Sequence, residues 1–331
     1  MTDIDKKPIA RRAKSRLKRA TIGDWVIVFI MLVLIVTCLF PVLTVVATSF
    51  SASGAIIRQE VIILPRQMEE YEYIRVVEGA EVTASGRTFP IGLDFSAYHD
   101  ILTDGRFMRS LGWTAILTLI TTIAQLTMTV LCAYPLTYDH LKGRRVITLL
   151  LVFTMYFQAG IIPNFILFNR LGLLNNPMVL ILPGLISVFL MIIMRKFFLG
   201  IPDSLKESAE IDGAGPMTIL AKIYLPLSTP ALATLGLMYA VGRWNGFTDA
   251  LMFMTHPDSA RWHPIQLLLY NILQGLQGVD TTLDPGAATA PGRGEAVRSA
   301  AIVVAMVPIL CIYPWLQKYF VSGVTLGAVK G

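Results

Sequence analysis

Residues able to carry out covalent chemistry are few and scattered. Histidine occurs four times, at His99, His140, His256 and His263, and no two stand at the spacing of an H-E-x-x-H zinc helix. There is no G-x-S-x-G nucleophile elbow and no G-x-x-x-x-G-K-[ST] phosphate loop. Asp139-His140 lies in a basic turn, where solvation explains it better than catalysis. The three cysteines, Cys38, Cys132 and Cys311, are an odd set inside apolar runs and read as small hydrophobes rather than a disulfide framework. What remains is a set suited to recognition. Arg243-Trp244-Asn245, with Asp249 close behind, places a guanidinium, an indole face and an amide side by side. Indole faces stack on sugar rings, amides bond to hydroxyls and a guanidinium welcomes a carboxylate. Interfacial anchoring of Arg243 beside an aromatic belt is the competing reading. Asn164 and Gln158 are weaker candidates, explained equally well by helix–helix hydrogen bonds.

The elements that would position these residues follow from composition. Of 331 residues, 54% are hydrophobic and only 15% charged, with a mean hydropathy of +0.62. Soluble domains carry about 25% charged residues, so a water-soluble globule and a disordered chain are both excluded. About 20 apolar residues cross a hydrocarbon core about 30 Å thick. Charge-free runs of that order occupy 25–48, 110–134, 146–169, 171–194, 223–242 and 299–317, the fifth extending to 227–253 if its polar continuation belongs to it. Six transmembrane helices, an all-α polytopic membrane protein, are the expectation. The third and fourth are separated by Arg170 and a turn at Gly172–Pro177. A β-barrel is disfavoured because the runs lack alternation.

Lys and Arg near helix ends set orientation. With the basic tail 1–24 in the cytoplasm, 17 basic and 8 acidic residues fall inside, against 10 and 13 outside. Both termini are expected to be cytoplasmic. The tail then needs only topology and anionic lipid headgroups to explain it, and no nucleic acid. The first apolar run is too long for a signal peptide, despite the small residues Ala52-Ser53-Gly54 after it, and reads as an uncleaved anchor.

Two external segments are long. Residues 49–109 are mixed and acidic, and Val76–Thr88 suggests a short hairpin or exposed loop. Residues 254–298 contain Asp284–Gly294, too rich in Gly, Pro and Ala to pack alone. The cytoplasmic segment 195–226 is the most informative. Ser204 and Glu207 have capping-box spacing. A helix over Leu205–Asp212 would end at Gly213, which tolerates the left-handed conformation. Gly215-Pro216 would restart a second helix, and Leu225-Pro226 would break the chain before the fifth span. Two short helices at an angle make a rib on the membrane face, too short to fold alone.

The same stretch carries a pattern. Glu207-Ser208-Ala209, three residues, Gly213, nine residues and Ile223-Tyr224-Leu225-Pro226 resemble the EAA loop of permease subunits in ABC importers, with Ser208 in place of the central Ala. The segments 151–175, 240–245 (AVGRWN) and 313–331 are similar to the carbohydrate-uptake, maltose-type branch of that family. Within that branch the chain looks like lipoprotein- or oligouronide-type sugar permeases, from about Trp25 to Gly331. Residues 66–88 depart from the pattern and read as an insertion. The resemblance implies a second six-span permease, two ABC ATPase subunits and an extracytoplasmic sugar-binding protein as partners. It also implies ATP and magnesium bound by the ATPase, with no cofactor in this chain. Coupling to the ATPase would map onto Glu207, Ala209, Asp212, Gly213, Ala214, Ile223, Leu225 and Pro226. The sugar, an oligosaccharide or uronide, would pass near Arg243, Trp244, Asn245 and Asn164.

The absent phosphate loop agrees with ATP binding elsewhere. The rival class is an ion-coupled secondary carrier. Such carriers place ionisable groups near the midplane, often in two related halves, whereas these runs are nearly charge-free and the 203–226 segment has no second copy.

Overall fold

The computed structural model describes residues 22–77, 80–157, 159–274 and 292–328, with backbone alone over 73–84 and 313–328. The basic tail up to residue 21, Gln158, most of the 284–294 segment and Lys330 lie outside the described residues. A long helix, α1 (Ile22–Ser49), leads to a short α2 (Ser53–Ile57) and an antiparallel hairpin of β1 (Glu69–Val77) and β2 (Ala80–Thr88). Then come α3 (Ser96–Thr103), α4 (Gly105–Ala133), α5 (Arg144–Tyr156), α6 (Ile161–Arg170) and α7 (Val188–Phe198). The rib follows as α8 (Asp203–Ile211), α9 (Pro216–Ile219), a wide π-type turn at Leu220–Tyr224 and α10 (Leu225–Leu227). The chain ends with α11 (Thr229–Asn245), α12 (Thr248–Phe253), α13 (Ile265–Gln274) and α14 (Arg293–Ala328).

Among the described residues, three helices are long and apolar enough to cross a membrane singly, over Gly23–Ser49, Gly105–Thr137 and Arg293–Ile312. The other three expected spans are not continuous helices. Residues 146–169 divide into α5 and α6, turned by 113° where Gly160 takes a φ of +87°. Residues 171–194 open with turns, including Gly172 and Asn175 at positive φ, and reach α7 through a 47° bend after Pro183. In the fifth run the helix α11 begins at Thr229, not Ile223, because the chain turns by 82° between the rib and α11. It also stops at Asn245, where the Gly246-Phe247 step divides α11 from α12. Helix α14 runs further in both directions than the expected 299–317.

Helix α4 is the axis. Asp104 caps its start, its carboxylate accepting from the amides of Arg106 and Phe107 at 2.7 and 3.4 Å. Near that end, Phe107 joins Ile101 of α3, Ile265 of α13 and the alanines 296, 300, 301 and 305 of α14 in one buried cluster. In the middle, Leu117 meets Phe168, Val179, Leu180, Ala250 and Phe253. At the far end, Val130 and Tyr134 pack with Met191, Met194 and Phe198 of α7, with Leu235 and Tyr239 of α11, and with Ile219, Leu220 and Tyr224. Helix α1 instead keeps Trp25–Leu43 exposed, as a lipid- or partner-facing span would. Threonines 37, 44, 114, 121 and 127 return their hydroxyls to carbonyls one turn back, which removes the cost of a bare hydroxyl in hydrocarbon.

The hairpin is longer than the expected Val76–Thr88, since its first strand starts at Glu69. Tyr71, Tyr73, Ile74, Val76 and Val77 supply the aromatic and β-branched residues that favour strands. Its neck is closed: Gln67 donates its amide to Pro90 O at 3.1 Å, Gly92 donates to Pro65 O at 3.1 Å, and the Arg66 guanidinium donates to Phe89 O at 2.9 Å. Ends that meet in this way let residues 66–88 stand on the fold without disturbing the helices on either side.

Candidate functional site

The rib is built from its termini. Pro202, not Ser204, bounds α8, so the expected capping box does not form: Ser204 is inside the helix, and the proline nitrogen has no hydrogen for Glu207 to accept. Asp203 in the first turn supplies the favourable negative charge instead. The helix ends one residue before the expected Asp212, and Gly213 takes a φ of +78°. The Gly213 and Ala214 amides then return to Glu210 O and Ala209 O at 3.1 and 2.9 Å. Pro216 opens α9 where its missing N–H costs nothing. In the π-type turn the Leu225 amide reaches back to Leu220 O, and the break expected at Leu225-Pro226 falls at Ser228.

This geometry sorts the coupling candidates into two faces. Ala209, Ala214, Ile223 and Leu225 pack against the cluster of α4, α7 and α11. Glu207, Asp212, Gly213 and Pro226 are exposed. Four apolar side chains of the rib share that exposure without standing out in the sequence: Leu205, Met217, Leu227 and above all Ile211, 87% exposed. Ile211, at the last position of α8, is therefore a candidate contact residue. The available signal was simply an apolar residue inside a polar helix of nine.

The recognition set is dispersed. Arg243 is buried, its guanidinium donating to Leu180 O at 2.9 Å, Gly246 O at 3.3 Å and Asp249 Oδ2 at 3.3 Å. It bridges α11 to the turn before α7. Trp244 is also buried and donates its indole N–H to Ala305 O at 3.2 Å, in the turn of α14 that Pro308 loosens. Beside it lies a cavity of about 50 Å³ lined by Thr118, Leu237, Ala240, Val241, Pro308, Ile309 and Ile312, too small and apolar for a sugar. Asn245 is exposed and donates to Val241 O at 3.0 Å. Asn164 is exposed on α6. Among the described residues no polar contact joins Asn164 to the other three. Arg243 and Trp244 are thus buried and bonded within the helix bundle, while Asn245 and Asn164 are exposed. No group of His, Cys, Asp and Glu able to hold a metal occurs among the described residues.

Residues 125–326, which include the rib, Arg243 and Trp244, match the family model of the binding-protein-dependent transport system inner membrane component. The chain belongs to this family. Among its relatives, the polygalacturonan/rhamnogalacturonan transport system permease protein YtcP of Bacillus subtilis (strain 168) is 36% identical over 311 residues, 93% of this chain and 98% of its own. Protein LplC of the same organism is 40% identical over 243 residues, 73% of this chain and 81% of its own. A crystal structure of a bacterial ABC transporter involved in the import of the acidic polysaccharide alginate superimposes with a TM-score of 0.78 at 30% identity, covering 95% of this chain and all of that one. A member of this family is a membrane-embedded transport component, in keeping with the apolar helices and the missing phosphate loop.

Proposed function

We propose that the chain is one of two permease subunits of an ATP-driven importer for an acidic oligosaccharide, a uronide, handed over by an extracytoplasmic binding protein. In this reading the three long helices, the two bent segments 144–170 and 177–198, and α11 count as spans, giving six, with both termini in the cytoplasm of a prokaryotic cell. Separate ATPase subunits bind ATP and magnesium, and this chain performs no covalent chemistry. The uronide class is supported by relatives named for polygalacturonan, rhamnogalacturonan and alginate, all acidic polymers.

The observation that carries the proposal is the two-faced rib. Its outer face offers Ile211, Leu205 and Met217 with Glu207 and Asp212, and its inner face is wedged into the α4–α7–α11 cluster. An ATPase groove that takes Ile211 can push the rib, and a close-packed inner face passes the displacement to the spans. ATP then biases a two-state pathway toward the form that receives the loaded binding protein. Asn245 and Asn164 are the side chains left to meet the sugar hydroxyls.

The test is uptake of trigalacturonate into ATP-loaded proteoliposomes holding the complex purified through this chain, with its binding protein outside. Uptake should persist when ionophores collapse every ion gradient and stop when ATP is withheld. Uptake that needs a gradient and ignores ATP would establish an ion-coupled carrier instead.

A further inference from the structure

At the end of α4 the proposed ATPase-driven segment meets the spans through a group of aromatic rings. Tyr134 is 4% exposed, and its ring stands edge-on to Tyr138, Phe198 and Tyr224 at centroid distances of 5.3, 6.2 and 5.1 Å. Phe198 in turn meets Tyr224 edge-on at 5.3 Å. Edge-to-face contacts of this kind hold rings in defined relative orientations. The Tyr134 hydroxyl lies 2.6 Å from the Tyr138 hydroxyl and donates to the carbonyl of Pro216, the first residue of α9, at 3.0 Å. Lys206 of α8 sits 3.8 Å from the centre of the Tyr138 ring and 3.9 Å from Glu210. One side chain at the tip of α4 thus meets the end of α7, the start of α9 and the π-type turn, and through Tyr138 it meets α8.

The hydroxyl is the directional part of this junction. Apolar contacts between the rib and the helices resist separation but permit sliding, whereas a hydrogen bond to a backbone carbonyl fixes register. Pro216 is a sensitive place for such a bond, because it follows the Gly213–Gly215 corner at which the rib changes direction. The π-type turn that delivers Tyr224 into the group is itself a local departure from regular helix, of the kind found where helices serve a function.

We infer that Tyr134 is the positioning residue that makes the rib and α4 move as one body during the transport cycle, through its hydroxyl contacts to Pro216 and Tyr138. This rests on the importer reading and adds to it the point at which ATPase-driven motion enters the pathway.

The experiment uses the assembled complex purified through this chain, with Cys38, Cys132 and Cys311 replaced by alanine. Spin labels are placed at Ile123→Cys on α4 and Thr218→Cys on α9, both exposed positions. Their separation is measured without nucleotide and with ATP and vanadate. The native hydroxyl should give one narrow distance, the same in both states. Tyr134→Phe should broaden it or add a population displaced by about 3 Å, half a helical pitch, in at least one state. Tyr138→Phe keeps Tyr134 whole and removes only one of its two partners, so it should give a smaller effect and serves if Tyr134→Phe does not accumulate. A native distance that differs between the two states, or distributions untouched by both variants, overturns the inference. If no ATPase accompanies the native chain, the importer reading itself has failed and this inference falls with it. A merely structural tyrosine would lower the yield of complex without changing the distance.

Discussion

Replacing Arg243 with methionine separates its two possible roles. The side chain is 9% exposed and its best bond, 2.9 Å, goes to the carbonyl of Leu180, itself 2% exposed. Methionine retains the stem but leaves that carbonyl buried without its charged donor, a loss of about 1.5–3 kcal/mol. The Asp249 side chain is 55% exposed, so its pairing with Arg243 adds only about 0–1 kcal/mol. Relief from burying a guanidinium whose Nε has no partner offsets part of the total. The net destabilisation is then about 2 kcal/mol, a drop of a few degrees in the thermal midpoint of the purified protein. Asp249→Asn should leave the midpoint nearly unchanged. Thermal unfolding in detergent measures both variants, alongside the KM for trigalacturonate uptake. An unchanged midpoint for Arg243→Met together with a raised KM would refute the reasoning and return Arg243 to the solute path.

Ile211→Asp changes an almost fully exposed side chain, so folding should be unaffected while ATPase recovered with the chain falls at least tenfold, read by quantitative mass spectrometry of the purified complex. Gly213→Ala meets no neighbour within 4 Å and so suffers only the left-handed backbone penalty, about 1–2 kcal/mol; membrane insertion should be normal and ATPase association weakened in a pull-down. Trp244→Phe keeps an aromatic ring but loses the donor to Ala305 O, costing about 1 kcal/mol in thermal unfolding, whereas Trp244→Ala should cost about 3–5 kcal/mol. Burial lowers the His263 pKa below 6.5, opposed in part by the contact of its Nε2 with Met254 O at 3.2 Å. With the folded value below the unfolded one, its stabilising contribution is present above about pH 6.5 and is lost as pH falls toward the folded value. The thermal midpoint should therefore drop on acidification less in His263→Gln than in the native protein.

How much of this was legible in the sequence depended on how local each feature is. Charge-free length found α1, α4 and α14, and Gly213 and Pro216 marked the two corners of the rib, because a left-handed residue and a missing donor act within a turn. The bend at Gly160 escaped a hydropathy reading, which averages over apolar side chains and carries no dihedral information, whereas the break at Ser228 lies two residues past the proline that announced it. The capping box failed on one neighbour: Pro202 set the helix boundary two residues before the serine that could have capped it. Burial of Arg243 and Trp244 depends on Leu180 and Ala305, more than 60 residues away in the chain. No local pattern announces such a pairing. Ile211 was missed for the opposite reason, since an isoleucine in a helix is ordinarily read as core.

The most direct test of the account is a mild-detergent pull-down of the tagged chain from native membranes, with companions identified by mass. A nucleotide-binding ATPase and a second six-span permease should accompany the native chain, with the ATPase alone lost on Ile211→Asp. Recovery of the chain by itself, folded and stable, or an ATPase retained at native level by Ile211→Asp, would contradict the role assigned to the rib.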